Sequence, residues 1–299
     1  MTIVLHHYDT SPVSEVLRLA LGVKTADYWS VIIPNMAPKP LLTALTGGYR
    51  KTPVLQIDAD IYCDTAIAIA ALEVLPGQSL YPAPLGRAHD FIAAQASGPM
   101  FFPAVGAAMG KVAAAIPDAF WADRAALFGL SREVIEERYP QSVSQFTAGM
   151  ARLDTSLADG RAFVGGDTVG YGDLALYMLP WFQRLFVRDA PVLDPFPHVI
   201  AWEGRVRAIG HGNPHTSDGQ AAIALAHGAT PDLAATVDFA SGFSAGQAVT
   251  VATEDPGANP VAGTLLRLSD AEIVIRRDDP DAGTVAVHFP RLGQILRAG

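Results

Sequence analysis

The chain has 299 residues, half of them hydrophobic, and a formal net charge of −9 from 21 basic and 30 acidic side chains. This length holds two or three domains, and this apolar content fills large cores, which excludes global disorder. No block of Lys or Arg offers the positive stripe that a phosphate backbone needs, and no apolar run is long enough to span a bilayer, so neither nucleic acid nor membrane is an expected partner.

The first residues are apolar but are interrupted at once by His6, His7 and Asp9, so no secretory leader is expected. Residues 2–8 read as a strand. Ser11-Pro12 then opens a helix: proline is pre-organised for the first helical position, and serine before it is a leading N-cap. Val13, Val16, Leu17, Ala20 and Leu21 recur at helical spacing and give this helix one buried face. A second strand is expected over 27–34, then a loop and short helix over 38–48. Strands over 54–57 and 61–63 come next, and a helix over 65–75 after them. The first two strands are joined by a helix and should be parallel; the last two are close in sequence and should form an antiparallel hairpin.

Pro76-Gly77 and Tyr81-Pro82-Ala83-Pro84-Leu85-Gly86 have the composition of a linker. Helical patterns come next, near 87–96, 101–116, 132–158, 172–186 and 198–209. Pro99 and Pro103 should break or kink the first pair. After about residue 230 the pattern changes to short β-type runs at 248–251, 263–266, 272–275 and 284–289. Turn clusters such as Asp255-Pro256-Gly257 and Asp278-Asp279-Pro280-Asp281 separate them. Regularly spaced short strands predict a small barrel or antiparallel sheet. The expected fold class is therefore an α/β domain over 1–78, an all-α bundle over 86–228 and a small all-β, barrel-like domain over 236–299.

Four local patterns in this order resemble the glutathione transferase superfamily over roughly residues 1–225. They are Ser11-Pro12-Val13-Ser14-Glu15-Val16-Leu17-Arg18, Lys51-Thr52-Pro53-Val54-Leu55, the pair Asp64-Thr65, and Phe163-Val164-Gly165-Gly166-Asp167 continuing to Tyr171-Gly172-Asp173-Leu174. The resemblance implies a thioredoxin-like first domain that binds glutathione, followed by the family's helical domain. The sequence departs from the pattern in three places. Gly170 stands where a Ser or Thr cap is usual, Thr52 where Val or Ile precedes the proline, and Asp64-Thr65 in place of the commoner Glu-Ser.

The resemblance also implies roles. Thr52-Pro53 would carry a cis peptide, and the Thr52 backbone would pair with the cysteinyl unit of glutathione. The N-terminus of the helix opened by Asp64-Thr65 suits the γ-glutamyl carboxylate, and Asp64 its ammonium group. Lys51 is either a contact for the glycyl carboxylate or a solvated side chain. A thiol with a pKa near ~8.5 is mostly protonated at neutral pH, so a donor at the sulfur is needed. Ser11 is the first candidate, with its hydroxyl at a helix N-terminus; the other reading is that it only caps the helix. Tyr8 and His7 are competitors that strand alternation sends to opposite faces.

Other residues carry less. Cys63 reads as a small buried strand residue, and a lone cysteine fits a reducing cytoplasm. With no C-x-x-C, disulfide exchange through the protein is not expected. His198, His211, His215 and His227 have no metal-ligand spacing, and no phosphate-binding glycine motif calls for a nucleotide. Met100, Phe101, Phe102, Met109, Trp121 and Phe128 either wall an apolar acceptor pocket or pack the core. The function these features imply is attack of the glutathione thiolate on an apolar electrophile by a possible homodimer. A non-catalytic binding or interaction module, and a glutathione-dependent isomerase or lyase, are the alternatives.

Overall fold

The computed structural model describes residues 1–255 and 257–299. They form two compact units: residues 1–17, 27–71 and 213–299 make one, and residues 18–26 and 72–212 the other.

The first unit is built on a sheet. Its elements begin β1 (Ile3–His7), the first half of α1 (Pro12–Val23), β2 (Asp27–Ile32), α2 (Pro40–Thr46), β3 (Val54–Ile57), β4 (Asp60–Cys63) and most of α3 (Thr65–Glu73). β1 and β2 are parallel and β3 and β4 antiparallel, as their connections require. This is a thioredoxin-like arrangement.

The helical unit holds α4 (Ala88–Ser97), α5 (Phe101–Met109), α6 (Asp118–Phe128), α7 (Arg132–Leu157), α8 (Tyr171–Phe186) and α9 (Pro197–Arg207). Pro99 lies between α4 and α5, where a break was expected. Pro103 does not break α5. It sits in the first turn, where a missing N–H costs no helical hydrogen bond. The expected helix over 101–116 instead stops at Met109 and gives way to a 3₁₀ turn, Ala113–Ala115. α6 was not expected; its weak amphipathic pattern buries only Trp121 and Leu127.

The chain after residue 212 supplies β5 (Asn213–Ser217), α10 (Gly219–Gly228), β6 (Thr236–Val237), β7 (Ala248–Thr253), β8 (Val261–Leu268), β9 (Glu272–Asp279), β10 (Gly283–Pro290) and β11 (Gln294–Ala298). The β-rich C-terminal region is present, and its placement is the finding. All its strands join the N-terminal ones in one sheet, in the order β11-β7-β8-β9-β10-β4-β3-β1-β2-β5, with β6 beside β8. β10 runs parallel to β4, pairing Val287 with Ile61, and β5 runs parallel to β2. Both edges of the four-stranded thioredoxin-like sheet are thus covered by later strands, which satisfies backbone groups that an edge leaves unpaired.

One core spans the same continuous sheet. Val4, Val54, Ile61 and Cys63 from the N-terminal strands pack in a single buried cluster with Ala222 and Ile223 of α10 and with Val251, Leu265, Ile275, Val287 and Phe289. The burial of that apolar area is the main force that holds the C-terminal strands in place. Gln56 fastens α10 to β3: its amide donates to the Ala222 carbonyl at 2.9 Å and to the Asp58 carbonyl at 2.8 Å.

Candidate functional site

Sheet register brings the predicted site residues to one end of the sheet-bearing unit. In the antiparallel β1–β3 pair, His6 lies opposite Val54; in the antiparallel β3–β4 pair, Val54 lies opposite Cys63. The end of β1, the start of β3 and the end of β4 are therefore neighbours. Tyr8 and Ser11 come directly after β1, Thr52-Pro53 directly before β3, and Asp64-Thr65 directly after β4.

Each of these has a local cause. Ser11 is buried, and its Oγ accepts the Ser14 N–H at 3.1 Å, so the capping role is realised. The Ser11 N–H donates to the Tyr8 carbonyl at 3.1 Å, which makes the tight turn from β1 into α1. Tyr8 itself is half-buried just past the strand. His7 is buried, with Nε2 2.8 Å from Ser30 Oγ on β2.

The Thr52–Pro53 peptide is cis. The ladder between β1 and β3 begins at Val54, just past the proline. Lys39 Nζ donates to Thr52 Oγ1 at 2.8 Å and to the Arg50 carbonyl at 3.4 Å.

Asp64 is the N-cap of α3. Its Oδ1 accepts the Ala66 N–H at 2.9 Å, and its carbonyl accepts from Ala68 at 3.1 Å. Its φ of 111° is a conformation that residues with a side chain rarely adopt, and such strain concentrates at functional sites. Burial pushes its carboxyl above the usual range, against the opposing Ala66 N–H and the Lys51 charge. Lys51 is partly exposed and ion-paired. Its Nζ lies 2.5 Å from Asp255 Oδ2, a residue past β7 that sequence reasoning did not single out. Only the folded register brings positions so distant in sequence together.

Cys63 is fully buried, and burial pushes its thiol well above the ordinary value, so it is an inert core residue. Among the described residues no group of three or more His, Cys, Asp or Glu side chains is arranged to hold a metal ion. No helix among them is long and apolar enough to cross a membrane.

Two further polar clusters lie outside this site. In the sheet-bearing unit, His288 of β10 is buried with Nε2 3.0 Å from Asp60 Oδ1 and Nδ1 3.1 Å from Glu272 Oε2. Its ring stacks on Tyr62 at 4.3 Å. Arg267 joins Glu272 and Asp232, each at 2.9 Å.

In the helical unit, buried Asp173 accepts from the Val164 N–H at 2.8 Å, the Gly170 N–H at 3.1 Å and Trp202 Nε1 at 2.9 Å. Gly170 lacks the usual cap oxygen for a steric reason. A Cβ there would collide with the His89 ring, whose Nδ1 accepts the Gly172 N–H at 3.2 Å in place of a hydroxyl. Met109 and Trp121 pack in the core of this unit with Ile135 and Phe182. Phe102 is exposed and makes edge contacts with Phe101 and Phe128. The apolar residues named from the sequence thus divide between core and surface.

Comparison with known proteins agrees with this architecture. Residues 5–79 match the glutathione S-transferase N-terminal domain and residues 136–205 the glutathione S-transferase C-terminal domain. No curated protein matches the chain. A GST-like protein from Pseudomonas syringae is 37% identical with a TM-score of 0.81, and the match covers 100% of this chain and 99% of that one. A Tau class glutathione S-transferase from mango is 22% identical, with a TM-score of 0.54, over 69% of this chain and 89% of its own. A glutathione S-transferase from Methylobacillus flagellatus with glutathione bound is 18% identical, with a TM-score of 0.53, over 70% of this chain and 99% of its own. The last two share the fold and leave about three tenths of this chain unmatched, whereas the Pseudomonas protein spans it all. With that full-length relative and both domain models, the chain belongs to the glutathione S-transferase superfamily.

Proposed function

We propose that the protein binds glutathione at the sheet end formed by Tyr8, Ser11, Lys51, Thr52, Pro53, Asp64 and Thr65, and activates its thiolate for attack on an apolar electrophile. The observation that carries this reading is the convergence of three elements at one sheet end. They are the cis Thr52–Pro53 peptide, the α3 N-terminus capped by Asp64, and the α1 N-terminus at Ser11. The Thr52 backbone offers a strand-like partner for the cysteinyl unit, and the first N–H groups of α3 a site for the γ-glutamyl carboxylate. Ser11 Oγ accepts the Ser14 N–H, and a serine hydroxyl is also a donor of the kind a thiolate sulfur accepts from. The α1 N-terminus adds favourable potential for the thiolate. The reaction joins the sulfur to an electrophilic carbon, releases the leaving group and needs no metal or nucleotide. A reducing cytoplasm and a homodimer complete the reading.

Calorimetric titration with glutathione and conjugation of an aryl halide test it together. Millimolar or tighter binding with turnover is expected. Ser11→Ala should lower kcat more than it weakens binding, because the hydroxyl acts on the thiolate; Tyr8→Phe should do so instead if the phenol serves the sulfur. Binding without turnover would leave a non-catalytic module, a reading favoured by the capping bond that already occupies Ser11 Oγ. Turnover only with isomerisable or β-eliminating substrates would make glutathione a cofactor. Absence of glutathione binding refutes the transferase and cofactor readings and leaves only a protein-interaction module.

A further inference from the structure

The ion pair between Lys51 and Asp255 has a chemical consequence at the proposed glutathione site. Lys51 lies two residues before Pro53, at the sheet end where Asp64 opens α3. Its ammonium is held 2.5 Å from a carboxylate that the connection after β7 delivers. Neither partner is fully exposed, at 32% and 24% of the side-chain surface, so water screens the pair less than it would a pair on the open surface.

Asp64, which opens α3 at the same sheet end, lies within electrostatic range of this pair. Burial is the main force pushing the Asp64 carboxyl up, and the Asp255 charge adds to it. Burial works against ionisation of Asp255 too, but the Lys51 and Thr253 hydrogen bonds overcome it and hold Asp255 below the usual carboxylate range. Lys39, the other ammonium beside Thr52, is engaged by the Thr52 hydroxyl and the Arg50 carbonyl.

We infer that Asp255 is a specificity-determining residue: by occupying Lys51 it disfavours a thiol peptide with a free C-terminal carboxylate and favours one whose C-terminus is capped and uncharged. This rests on the glutathione reading of the site and ranks its ligands: among γ-glutamyl-cysteinyl thiols, those with a neutralised C-terminal end bind at least as tightly as free glutathione. A ligand carboxylate arriving at Lys51 must displace Asp255 or lie beside it, and two like charges at that range repel. An ester or amide in the same position meets no such repulsion. Asp64 and the α3 N-terminus remain available to the γ-glutamyl end in either case.

The test compares binding of glutathione and of its glycyl monoethyl ester to the full chain, by calorimetry at neutral pH and low salt. The unmodified protein should bind the ester at least as tightly as the free acid. Asp255→Asn should shift the ratio about five- to tenfold toward the free acid. Glu254→Gln removes an exposed charge of the same sign next door and should leave the ratio within about twofold, because exposed charges are well screened. A wild-type preference for the free acid of about tenfold or more, or an unchanged ratio in Asp255→Asn, overturns the inference while leaving glutathione binding intact. If Asp255→Asn does not fold, the wild-type ratio alone decides. Failure of both thiols to bind the unmodified protein overturns the glutathione reading, and this inference with it.

Discussion

Two histidines buried in the same sheet have their pKa values moved in opposite directions. His6, on β1, has its Nε2 2.9 Å from the Gln56 side-chain oxygen. Burial lowers its pKa to about 4, so it is neutral near pH 7. His288, on β10, meets two carboxylates, Asp60 and Glu272. Burial opposes its charge as well, but the two carboxylates overcome that and raise its pKa. Burial is equally deep at both positions, so it does not decide the protonation state; the partner across the strand does. The difference also separates the two halves of the sheet. The N-terminal strands carry a neutral polar contact in an apolar layer, whereas β10 adds to its apolar packing an ionic contact with β4, His288 to Asp60.

The sharpest break of this contrast is His288→Leu. It leaves Asp60 and Glu272 without the cation between them, and loss of one member of a buried ionic cluster costs about 3 kcal/mol. His6→Leu strands only one amide oxygen and should cost about 1 kcal/mol. Urea denaturation at pH 7 compares the two. Equal costs would mean that His288 is neutral in the folded protein.

The pH dependence should differ in sign. His6 has a folded pKa below its unfolded one, so the unfolded chain takes up the proton first. Stability therefore falls as pH drops from 6.5 towards 4, by about 3 kcal/mol in total. His288 has a folded pKa above its unfolded one. Its contribution is complete below about pH 6.5 and is lost as pH rises through the raised value. Unfolding curves of the two variants across pH check this: His6→Leu should flatten the acid limb and His288→Leu the neutral-to-alkaline limb.

A third histidine sharpens the comparison from the helical unit. His89 is neutral for the reason His6 is, burial, but it acts as an acceptor that replaces a missing cap oxygen. Gly170→Ala would press a methyl group into its ring and approach Pro82 Cδ at 2.9 Å. The expected cost is about 2 kcal/mol. In His89→Ala the space is vacant, and the Gly170→Ala cost measured there by a double-mutant cycle should fall below about 1 kcal/mol. A comparably small effect is expected at Ser11, whose capping bond to Ser14 contributes about 1 kcal/mol. Thermal unfolding of Ser11→Ala measures it apart from any effect on turnover.

Local chemistry was legible in the sequence. Ser11-Pro12 announced a capped helix start and Asp64-Thr65 another, because capping uses only groups a few residues apart. Hydrophobic periodicity placed β1 to β4, the long α7 and α8, and four of the later strands, since each buries a face of its own. The family motifs added the cis proline and the capping Asp173. Elements with weak patterns were missed: α6 buries little, and the exposed edge strand β5 reads Asn-Pro-His-Thr-Ser, with no alternation.

The tertiary structure decided what depends on residues far apart in the chain. The short strands after residue 230 read as a barrel-like unit of their own because their alternation does not name the strand they will pair with. The edge of β4 supplied that partner, with Ile61 buried beneath it. The same register set His288 against Asp60, and the connection after β7 closed Asp255 on Lys51. The strongly patterned local elements and the ligand chemistry to expect could be read from the sequence alone. The sequence left open the charge that surrounds that ligand, because Coulomb energy depends on distance in space and the fold alone sets that distance.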